Sequence, residues 1–455
     1  MAHDLLLLVP EIAVLLTAVV VLVCEMLRRP RAALSVTVAG LALAALSAIP
    51  LLGVESTAFS GTFRVDALST WACLILLPAT ALSALLARAE LAGEEGEGTV
   101  YSLLCFTALG ALILAGSGDL MLLVLGVLLS SLGSFALVAH RDDDRATEAA
   151  MKYFVFGSVS GGVMIFGVSY WVGATGSTLL AALGGVTGAP PAAALGLVAV
   201  VVGLGYKAAV VPFHFWAPDA YDGAPVSVAG FLSVVPKIGA ILALAQVVRD
   251  LPVGLGWPLV IAAISVLTMT YGNLAALVQR NVVRLLAYSS VAQSGYFLLG
   301  VAATGGPLAR PSLVVFATAY AAMNLGAFAV VLRTGRDLDA FTGLGRSRPA
   351  TGAAMVIFLL SLVGIPPLAG FAGKFLLFGA ALASHLLWLA IAAILNSVLS
   401  LAVYLRIVVP MYRTPDSAPT GRAPNPLASG VWGIALAVTV GLGAAVQLIL
   451  GRVGP

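Results

Sequence analysis

The sequence predicts an all-α, polytopic membrane protein, and three observations lead to this fold class. Of the 455 residues, 61% are hydrophobic and only 9% are charged, whereas about a quarter of the residues in an average soluble domain are charged. Apolar windows of about 20 residues, the length of a membrane-spanning helix, recur along the whole chain. The hydrophilic pieces between these windows are short, so no soluble domain is expected beside the membrane domain.

Fourteen of these windows are expected to form transmembrane helices. The first seven lie at 4–27, 32–53, 67–88, 99–116, 119–140, 150–173 and 190–212. The second seven lie at 226–248, 256–278, 284–304, 311–333, 351–378, 384–409 and 427–450. In the first window the positive charges follow the apolar run, which predicts a membrane helix rather than a cleaved signal peptide. The chain is therefore predicted to be a single transmembrane domain over residues 1–455.

The distribution of Lys and Arg predicts the orientation, because short loops rich in these residues stay on the cytoplasmic side. With alternating spans, sixteen of the 23 basic residues fall on one side and four on the other. The larger set is Arg28, Arg29, Arg31, Arg88, Arg141, Arg145, Lys152, Arg280, Arg284, Arg333, Arg336, Arg346, Arg348, Arg406, Arg413 and Arg422. The smaller set is Arg64, Arg249, Arg310 and Arg452. Both termini are therefore predicted on the non-cytoplasmic side.

The three remaining basic residues, Lys207, Lys237 and Lys374, lie within apolar sequence. A lysine at bilayer depth costs about 2.5–3.5 kcal/mol even on insertion scales, so an uncompensated one is rare. The protonation state of a buried lysine responds readily to its surroundings, and all three are therefore candidate proton carriers. The alternative for each is a side chain that reaches back to the membrane surface.

Two spans contain residues that interrupt a helix. The seventh runs into Pro212, and the twelfth contains Gly364, Pro366, Pro367 and Gly370 within one short stretch. Interrupted spans in the two halves of a transporter indicate an ion path, since unwinding exposes backbone dipoles at membrane depth. A packing kink would explain either interruption alone, but the adjoining lysines favour the ion path.

Several classes of chemistry are not expected within this chain. The sequence has no P-loop, no dinucleotide fingerprint and no cysteine cluster for an iron–sulfur centre. Its three cysteines, Cys24, Cys73 and Cys105, lie in apolar runs without metal-ligand spacing, so no metal site is predicted. The basic residues are scattered among loops, which argues against nucleic-acid binding.

Four motifs carry a family resemblance. They are the run from Tyr206 to Lys237 with PFHFWAPDAYDGAP, ATEAAMKYF at 146–154, QRNVVRLLAYSSVAQSGY at 279–296, and GIPPLAGFAGKFLLF at 364–378. Together they resemble subunit N of bacterial NADH-quinone oxidoreductase (complex I), a family of antiporter-like membrane subunits. Subunits L and M of that complex and the large subunits of multi-subunit cation/proton antiporters are relatives.

The resemblance implies two inverted five-helix repeats, spans 4–8 at 99–248 and spans 9–13 at 256–409, each with a half-channel. It also implies a proton relay made of Lys207, Lys237, Lys374 and His214. NADH, FMN, iron–sulfur clusters and quinone would belong to partner subunits, and none is expected in this chain. The implied setting is a bacterial inner membrane, among other antiporter-like and small membrane subunits.

One departure from the family pattern concerns the middle of the fifth span. The family has a glutamate there, beside the lysine of the seventh span, but alignment of 125–139 puts Leu128 at that position. Ser130 and Ser131 nearby are neutral substitutes that could hold water. Three functions therefore stay open: a proton-translocating oxidoreductase subunit, a cation/proton antiporter subunit, or a structural paralogue whose first half-channel is inactive.

Two sets of acidic residues are expected to have other roles. Asp219 and Asp222 share a loop with Pro218 and Gly223, and this composition is typical of turns. Glu11 follows Pro10 in the first span and is expected to face another subunit or lipid headgroups.

Overall fold

The computed structural model describes residues 2–185, 191–252, 254, 256–414 and 425–453. Helices dominate these ranges, which confirms the predicted all-α membrane fold. The loop after the second predicted span adds one small antiparallel hairpin, in which β1 (Ser56–Ala58) pairs with β2 (Phe63–Val65).

The described residues form 19 α-helices. The first ten are α1 Ala2–Leu7, α2 Val9–Met26, α3 Pro30–Ala48, α4 Ala67–Leu91, α5 Glu97–Ala115, α6 Leu120–Val138, α7 Asp144–Thr175, α8 Pro191–Lys207, α9 Trp216–Gly223 and α10 Val226–Arg249. The others are α11 Trp257–Leu277, α12 Val282–Ala302, α13 Ala309–Thr334, α14 Leu344–Ser347, α15 Pro349–Val363, α16 Ala369–Ala383, α17 Leu387–Met411, α18 Pro426–Ala445 and α19 Gln447–Val453.

Twelve of these helices are long and apolar enough to cross a membrane, and α8, α15 and α16 are shorter apolar helices. The short ones are the pieces next to the two predicted interruptions. The twelfth predicted span is divided into α15 and α16, with the chain unwound over residues 364–368. The seventh ends earlier than predicted, because α8 stops at Lys207 rather than at Pro212.

Polar side chains cap the N-termini of several helices where the sequence places Asp or Asn before an apolar run. Asp66 accepts a hydrogen bond from the Ser69 amide at 3.0 Å, and Ser69 Oγ accepts one from the Asp66 amide at 2.9 Å. Asp119 accepts from two amides of α6, and Asp143 from one amide of α7. Such caps satisfy amides that have no partner inside the helix.

Helices α10, α12 and α13 form the centre of the bundle. Every residue of α10 from Val226 to Val248 is buried, and α12 and α13 are buried over almost their whole length. The outer helices instead expose large aliphatic and aromatic side chains, among them Leu16, Val159, Phe166, Leu267 and Val398. This apolar exterior suits lipid, and any polar group on a central helix must find its partners inside the protein.

The ion pairs of the described residues form two separate groups. One group joins Arg64 to Asp250, Arg249 to Asp66, and Arg310 to Glu55. The other joins Arg88 to Glu97, Arg141 to Glu90, His140 to Glu94, Arg145 to Asp222, Lys152 to Glu148 and Asp219, Arg284 to Asp219 and Asp222, and Arg336 to Asp222. Each pair links residues that alternating spans place on the same side, which supports the alternation.

Candidate functional site

The first interruption begins at Lys207, the last residue of α8. Ala209 adopts the left-handed conformation with φ +54°, and the amides of Ala209 and Val210 donate back to the Tyr206 and Gly205 carbonyls, both at 3.0 Å. This is the Schellman arrangement that ends many helices. Pro212 then offers no amide hydrogen and disfavours helix in the residue before it. The chain becomes helical again only at Trp216.

Lys207 is fully buried and surrounded by hydroxyl groups. Its Nζ lies 3.1 Å from Ser131 Oγ, 3.2 Å from Tyr153 OH and 3.4 Å from Ser134 Oγ. The two serines lie on α6 and the tyrosine on α7, where its ring stacks on Trp216 with centroids 4.2 Å apart. Three neutral hydroxyls therefore stand where a carboxylate would otherwise pair with the ammonium group.

Leu128 does not contact this lysine site. Its side chain is 40% exposed at the edge of α6, and the contacts to Lys207 come from Ser131 and Ser134, further along the same helix. Ser131 thus contacts the lysine directly, whereas Ser130 Oγ is buried with no hydrogen-bond partner among the described residues.

The second interruption repeats the backbone arrangement of the first. Gly364 follows α15 with φ +97°. Its amide and that of Ile365 donate back to the carbonyls of Ser361 and Leu360 at 3.0 and 3.1 Å. Glycine is favoured at such a position because it has no side chain to clash in the left-handed conformation.

Lys374 lies on α16, after this interruption, and is also buried. Its Nζ donates to the Val363 carbonyl at 3.0 Å and lies 3.1 Å from Ser397 Oγ on α17. The same nitrogen lies 3.8 Å from the centroid of the Tyr296 ring, a geometry that attracts a cation to the face of an aromatic ring. Because the helix is interrupted, the carbonyl at the end of α15 accepts from the lysine instead of from a helical amide.

Lys237 lies on α10 at the centre of the bundle, with 0% exposure. Its Nζ donates to the Ser290 carbonyl at 2.9 Å and also contacts Ser290 Oγ. Tyr320 OH donates to the same Oγ at 3.0 Å and lies 3.3 Å from the side-chain amide nitrogen of Asn324. That amide donates in turn to Ser233 Oγ at 2.5 Å. Lys237 therefore begins a chain of neutral polar groups shared by α10, α12 and α13.

Four buried polar residues of α12 lie between the lysines. Ser294 Oγ donates to the Ala208 carbonyl, next to Lys207 in the chain, at 2.7 Å, and it lies 3.2 Å from the Ser290 carbonyl. Ser289 Oγ lies 2.6 Å from Tyr404 OH. Gln293 Nε2 lies 3.2 Å from both Tyr404 OH and the Leu362 carbonyl, one residue before the carbonyl that Lys374 contacts. Helix α12 thus links the surroundings of all three lysines.

His214 lies in the unwound segment after α8 and is 2% exposed. Its ring packs against Phe215 and Tyr271, each with centroids 4.5 Å apart, and its Nδ1 has no partner among the described residues. It lines a cavity of about 280 Å³ together with Lys152, Phe156, Phe215, Pro218, Asp219, Arg284 and Tyr288. The structure therefore places His214 at a polar cavity.

Asp219 and Asp222 do more than form a turn. Asp219 accepts from Arg284 at 2.7 Å and from Lys152 at 3.1 Å. Burial alone would raise the pKa of Asp219, but these two hydrogen bonds outweigh it and lower the pKa. Asp222 pairs with Arg145 and accepts from the side-chain amide of Asn281 at 3.0 Å. The two carboxylates tie the segment after the first interruption to α7 and α12.

Comparison with known proteins identifies the family of this bundle. Residues 117–400 match the family described as NADH:quinone oxidoreductase/Mrp antiporter, transmembrane. The chain belongs to this family. The matched range includes both interruptions and all three lysines of the site.

Similar proteins of this antiporter family include subunit N of a Mycobacterium NADH-quinone oxidoreductase (strain JLS), which is 41% identical over 90% of this chain and 87% of its own length. A solved chain of respiratory complex I from Thermus thermophilus with bound aureothin is 32% identical, with a TM-score of 0.87, and covers 98% of this chain and 100% of that one. A chain of the Mrp complex from Dietzia sp. DQ12-45-1b has a TM-score of 0.89 over 100% of this chain and 96% of its own length. At 24% identity, the last likeness shows the antiporter fold alone.

Several site residues of this antiporter-family chain were not predicted from its sequence. They are Ser134, Tyr153, Ser289, Ser290, Gln293, Ser294, Tyr296, Tyr320, Asn324, Val363, Ser397 and Tyr404. The serines and glutamine of α12 form a pattern that is visible in the sequence, since 289–290 and 293–294 are one helical turn apart in a central, buried span. A turn-spaced polar stripe in an apolar helix indicates groups that need partners within the bundle.

The expectation for Glu11 was wrong. Its side chain is 7% exposed and lies between helices rather than at headgroups or an outer face. Cys73 Sγ on α4 donates to Glu11 Oε1 at 3.6 Å. The Pro10–Glu11 motif at a helix start favoured the membrane surface, but the packing of α2 turns the carboxyl group inward. Cys73 and Cys105 are buried and Cys24 is half-buried, and all three thiols are free.

Proposed function

We propose that this chain carries protons across a membrane as the subunit N component of an NADH-quinone oxidoreductase. The observation that carries the proposal is the set of three buried lysines, each hydrogen-bonded to neutral groups and linked through α12. Membership of the family and the similarity to a Mycobacterium subunit N support the assembly named here.

Neutral partners suit a lysine that changes its protonation state. A hydroxyl oxygen accepts a hydrogen bond from an ammonium group and donates one to a neutral amine, whereas an ionised carboxylate only accepts. Lys207 has three hydroxyl partners, Lys237 has Ser290 Oγ, and Lys374 has Ser397 Oγ. Each lysine can therefore keep a hydroxyl partner in either protonation state, and Lys207 has a hydroxyl for each of its three ammonium hydrogens.

The relay would run along the middle of the bundle, with His214 near its entrance. The cavity beside His214 is lined by Lys152, Asp219 and Arg284 and is large and polar enough for several water molecules. A proton would pass from this cavity toward Lys207, then along the serines of α12 to Lys237, and finally past Tyr404 and Gln293 to Lys374. Each of these residues would act by holding or passing a proton rather than by redox chemistry.

Fourteen spans, with both termini on the non-cytoplasmic side of a bacterial inner membrane, are part of the proposal. The segregated ion pairs support the alternation, and the excess of basic residues supports the assignment of sides. The repeats would cover 99–248 and 256–409. The recurrence of the Schellman arrangement at Ala209 and Gly364 supports corresponding half-channels in the two repeats.

The partners would be other antiporter-like and small membrane subunits. Oxidation of NADH and reduction of quinone, with FMN and iron–sulfur clusters, would take place in subunits other than this one. Within the described ranges, no three His, Cys, Asp or Glu side chains come together in a group that could hold a metal ion.

Two other functions have specific support. The fold of the Dietzia Mrp chain would equally suit a cation/proton antiporter subunit that uses the same lysines without redox partners. Leu128, in place of the glutamate of the family pattern, would suit a subunit whose first half-channel is inactive.

The test begins with the complex purified from membranes through a tag on this chain. Mass spectrometry of the other subunits distinguishes the first two functions, since redox subunits are expected in an oxidoreductase and absent from an antiporter. Proton uptake driven by NADH oxidation is then measured in proteoliposomes for the wild type and for Lys237→Ala. We expect the variant to slow uptake by at least about tenfold, because a positioned proton-transfer group typically contributes about 10²–10⁴-fold.

The matched control is Arg310→Ala, which removes a basic residue from the other group of ion pairs, away from the proposed relay. This variant is expected to assemble and to retain most of the proton uptake. Unchanged proton uptake in an assembled Lys237→Ala complex would contradict the proposed relay.

A further inference from the structure

Two asparagine side chains join α11 to α17 within the apolar bundle. Asn273 Nδ2 on α11 donates to the Asn396 carbonyl at 3.1 Å and to Asn396 Oδ1 at 3.2 Å. Asn396 Nδ2 donates to Thr270 Oγ1 on α11 at 3.1 Å and to the Ala392 carbonyl at 3.0 Å. Both asparagines are buried. Each amide nitrogen has two acceptors, so both of its hydrogens can be bonded.

The two helices that carry this pair otherwise present an apolar surface. They expose aliphatic side chains toward the outside of the bundle, among them Leu267, Leu274, Leu395 and Val398. A buried amide in such surroundings is costly unless it is hydrogen-bonded, and hydrogen bonds from asparagine hold transmembrane helices together. The asparagine pair therefore fixes how α17 is rotated and how far it is shifted against α11.

The next residue of α17, Ser397, belongs to the second lysine site. Its Oγ donates to the Val363 carbonyl at 2.5 Å and lies 3.1 Å from Lys374 Nζ. The same carbonyl accepts from Lys374 at 3.0 Å, so the three groups contact one another. Ser397 has one hydroxyl hydrogen, and the carbonyl takes it, so the serine accepts from the lysine. A shift of Ser397 by about half an ångström would lose this hydrogen bond.

Helix geometry couples the asparagine pair to this serine. Successive residues of an α-helix point about 100° apart, so one turn of α17 turns Asn396 toward α11 and Ser397 toward α15 and α16. A rotation of α17 that moved Ser397 away from Lys374 would also break the bonds between Asn273 and Asn396. We propose that Asn273 and Asn396 are positioning residues, which hold Ser397 against Lys374.

The aromatic ring beside Lys374 lies next to the same pair. Tyr296 OH is buried with no hydrogen-bond partner among the described residues, and the side chains of Ser397 and Asn273 lie beside it. The asparagine pair thus adjoins two of the groups that surround the lysine, the serine and the ring. The assignment rests on the proposed proton relay, because it gives these asparagines a role at one of its lysines.

The experiment uses the whole purified complex in proteoliposomes and compares Asn273→Leu, Asn396→Leu and the double variant. Leucine is close to asparagine in size but makes no hydrogen bond. Each single variant leaves buried polar groups of its partner unpaired and should inactivate at a lower temperature, whereas the double variant should regain thermal stability. Proton uptake should nevertheless stay about tenfold below wild type in the double variant, the scale of one hydrogen bond to a charged group. Recovery of uptake together with stability would reduce the pair to an anchor and overturn the assignment.

A second arm asks whether the asparagines act through Ser397. In a Ser397→Ala background, Asn273→Leu should lower uptake further by less than about twofold. The pH profile of uptake should shift in the same direction in Asn273→Leu as in Ser397→Ala. Full additivity of the two losses, or an unchanged pH profile, would overturn the assignment.

Two further variants keep the result interpretable. Thr270→Val removes only one acceptor of Asn396, and it replaces the leucine variants if they do not assemble, with the same shift of the pH profile expected and the same meaning if it is absent. Ser102→Ala is the control, since it removes a buried hydrogen bond between α5 and α2, to the Ala18 carbonyl at 2.9 Å, and should leave the pH profile unchanged. Lys374→Ala reports on the relay itself: wild-type uptake in that variant refutes the relay, whereas a loss there without the asparagine effects refutes only the positioning role.

Discussion

The two interrupted helices use the same backbone arrangement but surround their lysines differently. At both, a left-handed residue, Ala209 or Gly364, closes a Schellman arrangement. Lys207 precedes its interruption and depends on hydroxyls from α6 and α7. Lys374 follows its interruption and contacts the Val363 carbonyl that the interruption itself exposes.

This difference shows two ways to hold a lysine inside a membrane. At the second site, one partner of Lys374 is the Val363 carbonyl of the interrupted helix itself. The Tyr296 ring, 3.8 Å from Lys374 Nζ, also stabilises the ammonium group. At the first site, the polar groups around Lys207 come from the neighbouring helices α6 and α7. The ring of Tyr153 lies 5.6 Å from Lys207 Nζ. The first site is therefore more sensitive to changes in side chains elsewhere, and the second to changes in its own backbone.

The largest effect is expected from Lys374→Ala. The substitution removes the proton carrier of the second site, while the backbone arrangement at Gly364 stays intact. We expect proton uptake in proteoliposomes to fall by about a hundredfold, within the range for loss of a positioned proton carrier, with normal assembly on native gels. Wild-type proton stoichiometry in the assembled variant would remove Lys374 from the relay.

Lys207→Ala is expected to have a smaller effect than Lys374→Ala. The glutamate that the family pattern has beside this lysine is replaced by Leu128, so we expect uptake to fall by only about tenfold, less than the usual contribution of a positioned proton carrier. The same proteoliposome assay measures both variants side by side. No change with Lys207→Ala would establish an inactive first half-channel, whereas a loss as large as that of Lys374→Ala would reverse the proposed ranking of the two sites.

Removal of hydroxyl partners should have a weaker effect and should distinguish the two environments. Ser131→Ala with Ser134→Ala leaves Lys207 only Tyr153 OH, whereas Ser397→Ala leaves Lys374 the carbonyl and the ring. Each lost hydrogen bond to a charged group is worth about 1.5–3 kcal/mol, so the double variant should lower proton uptake more than Ser397→Ala. Ser35→Ala, on the exposed side of α3, serves as the control. Equal effects of the two sets would show that the exposed carbonyl makes no difference.

The smallest effects concern the backbone at the two interruptions, and the two substitutions should differ in size. Gly364→Ala should destabilise the second site by about 1–2 kcal/mol, because a left-handed conformation disfavours alanine, and its Cβ would lie 3.0 Å from Lys374 Cδ. Ala209→Gly removes the same cost but adds chain entropy to the unfolded state, so its net effect should be less than about 1 kcal/mol. Thermal inactivation of the purified complex measures both. A larger loss from Ala209→Gly than from Gly364→Ala would contradict this account.

The bundle and its interruptions were largely predictable because their causes are local. Apolar windows identified the helices, and the glycines and prolines of residues 364–370 identified where the chain unwinds between α15 and α16. The end of α8 was predicted too late, at Pro212. The helix ends earlier because Ala209 adopts the left-handed conformation. This conformation was not predicted because the residue is an alanine rather than the usual glycine.

The surroundings of the lysines were predictable only in part. Ser131 was expected near Lys207, since it follows Leu128 on the same helix. Tyr153 and Ser134 were not, because their contact depends on how α6 and α7 rotate against α8. The prediction for Glu11 was wrong for the same reason. A residue beside a proline at a helix start can face outward or inward, and only the packing of α2 against α4 decides which way it faces.

By itself, the sequence determined that this chain crosses a membrane repeatedly, that two of its helices are interrupted, and that three lysines lie within apolar sequence. Hydropathy, proline chemistry and charge are properties of short segments, so they can be read along the chain. Only the tertiary structure decided which groups hold each lysine, because Lys207 meets Ser131 across 76 residues and Lys237 meets Ser290 across 53. Helix rotation and packing set such contacts, and in an almost uniformly apolar bundle the hydropathy pattern does not specify which face of a helix turns inward.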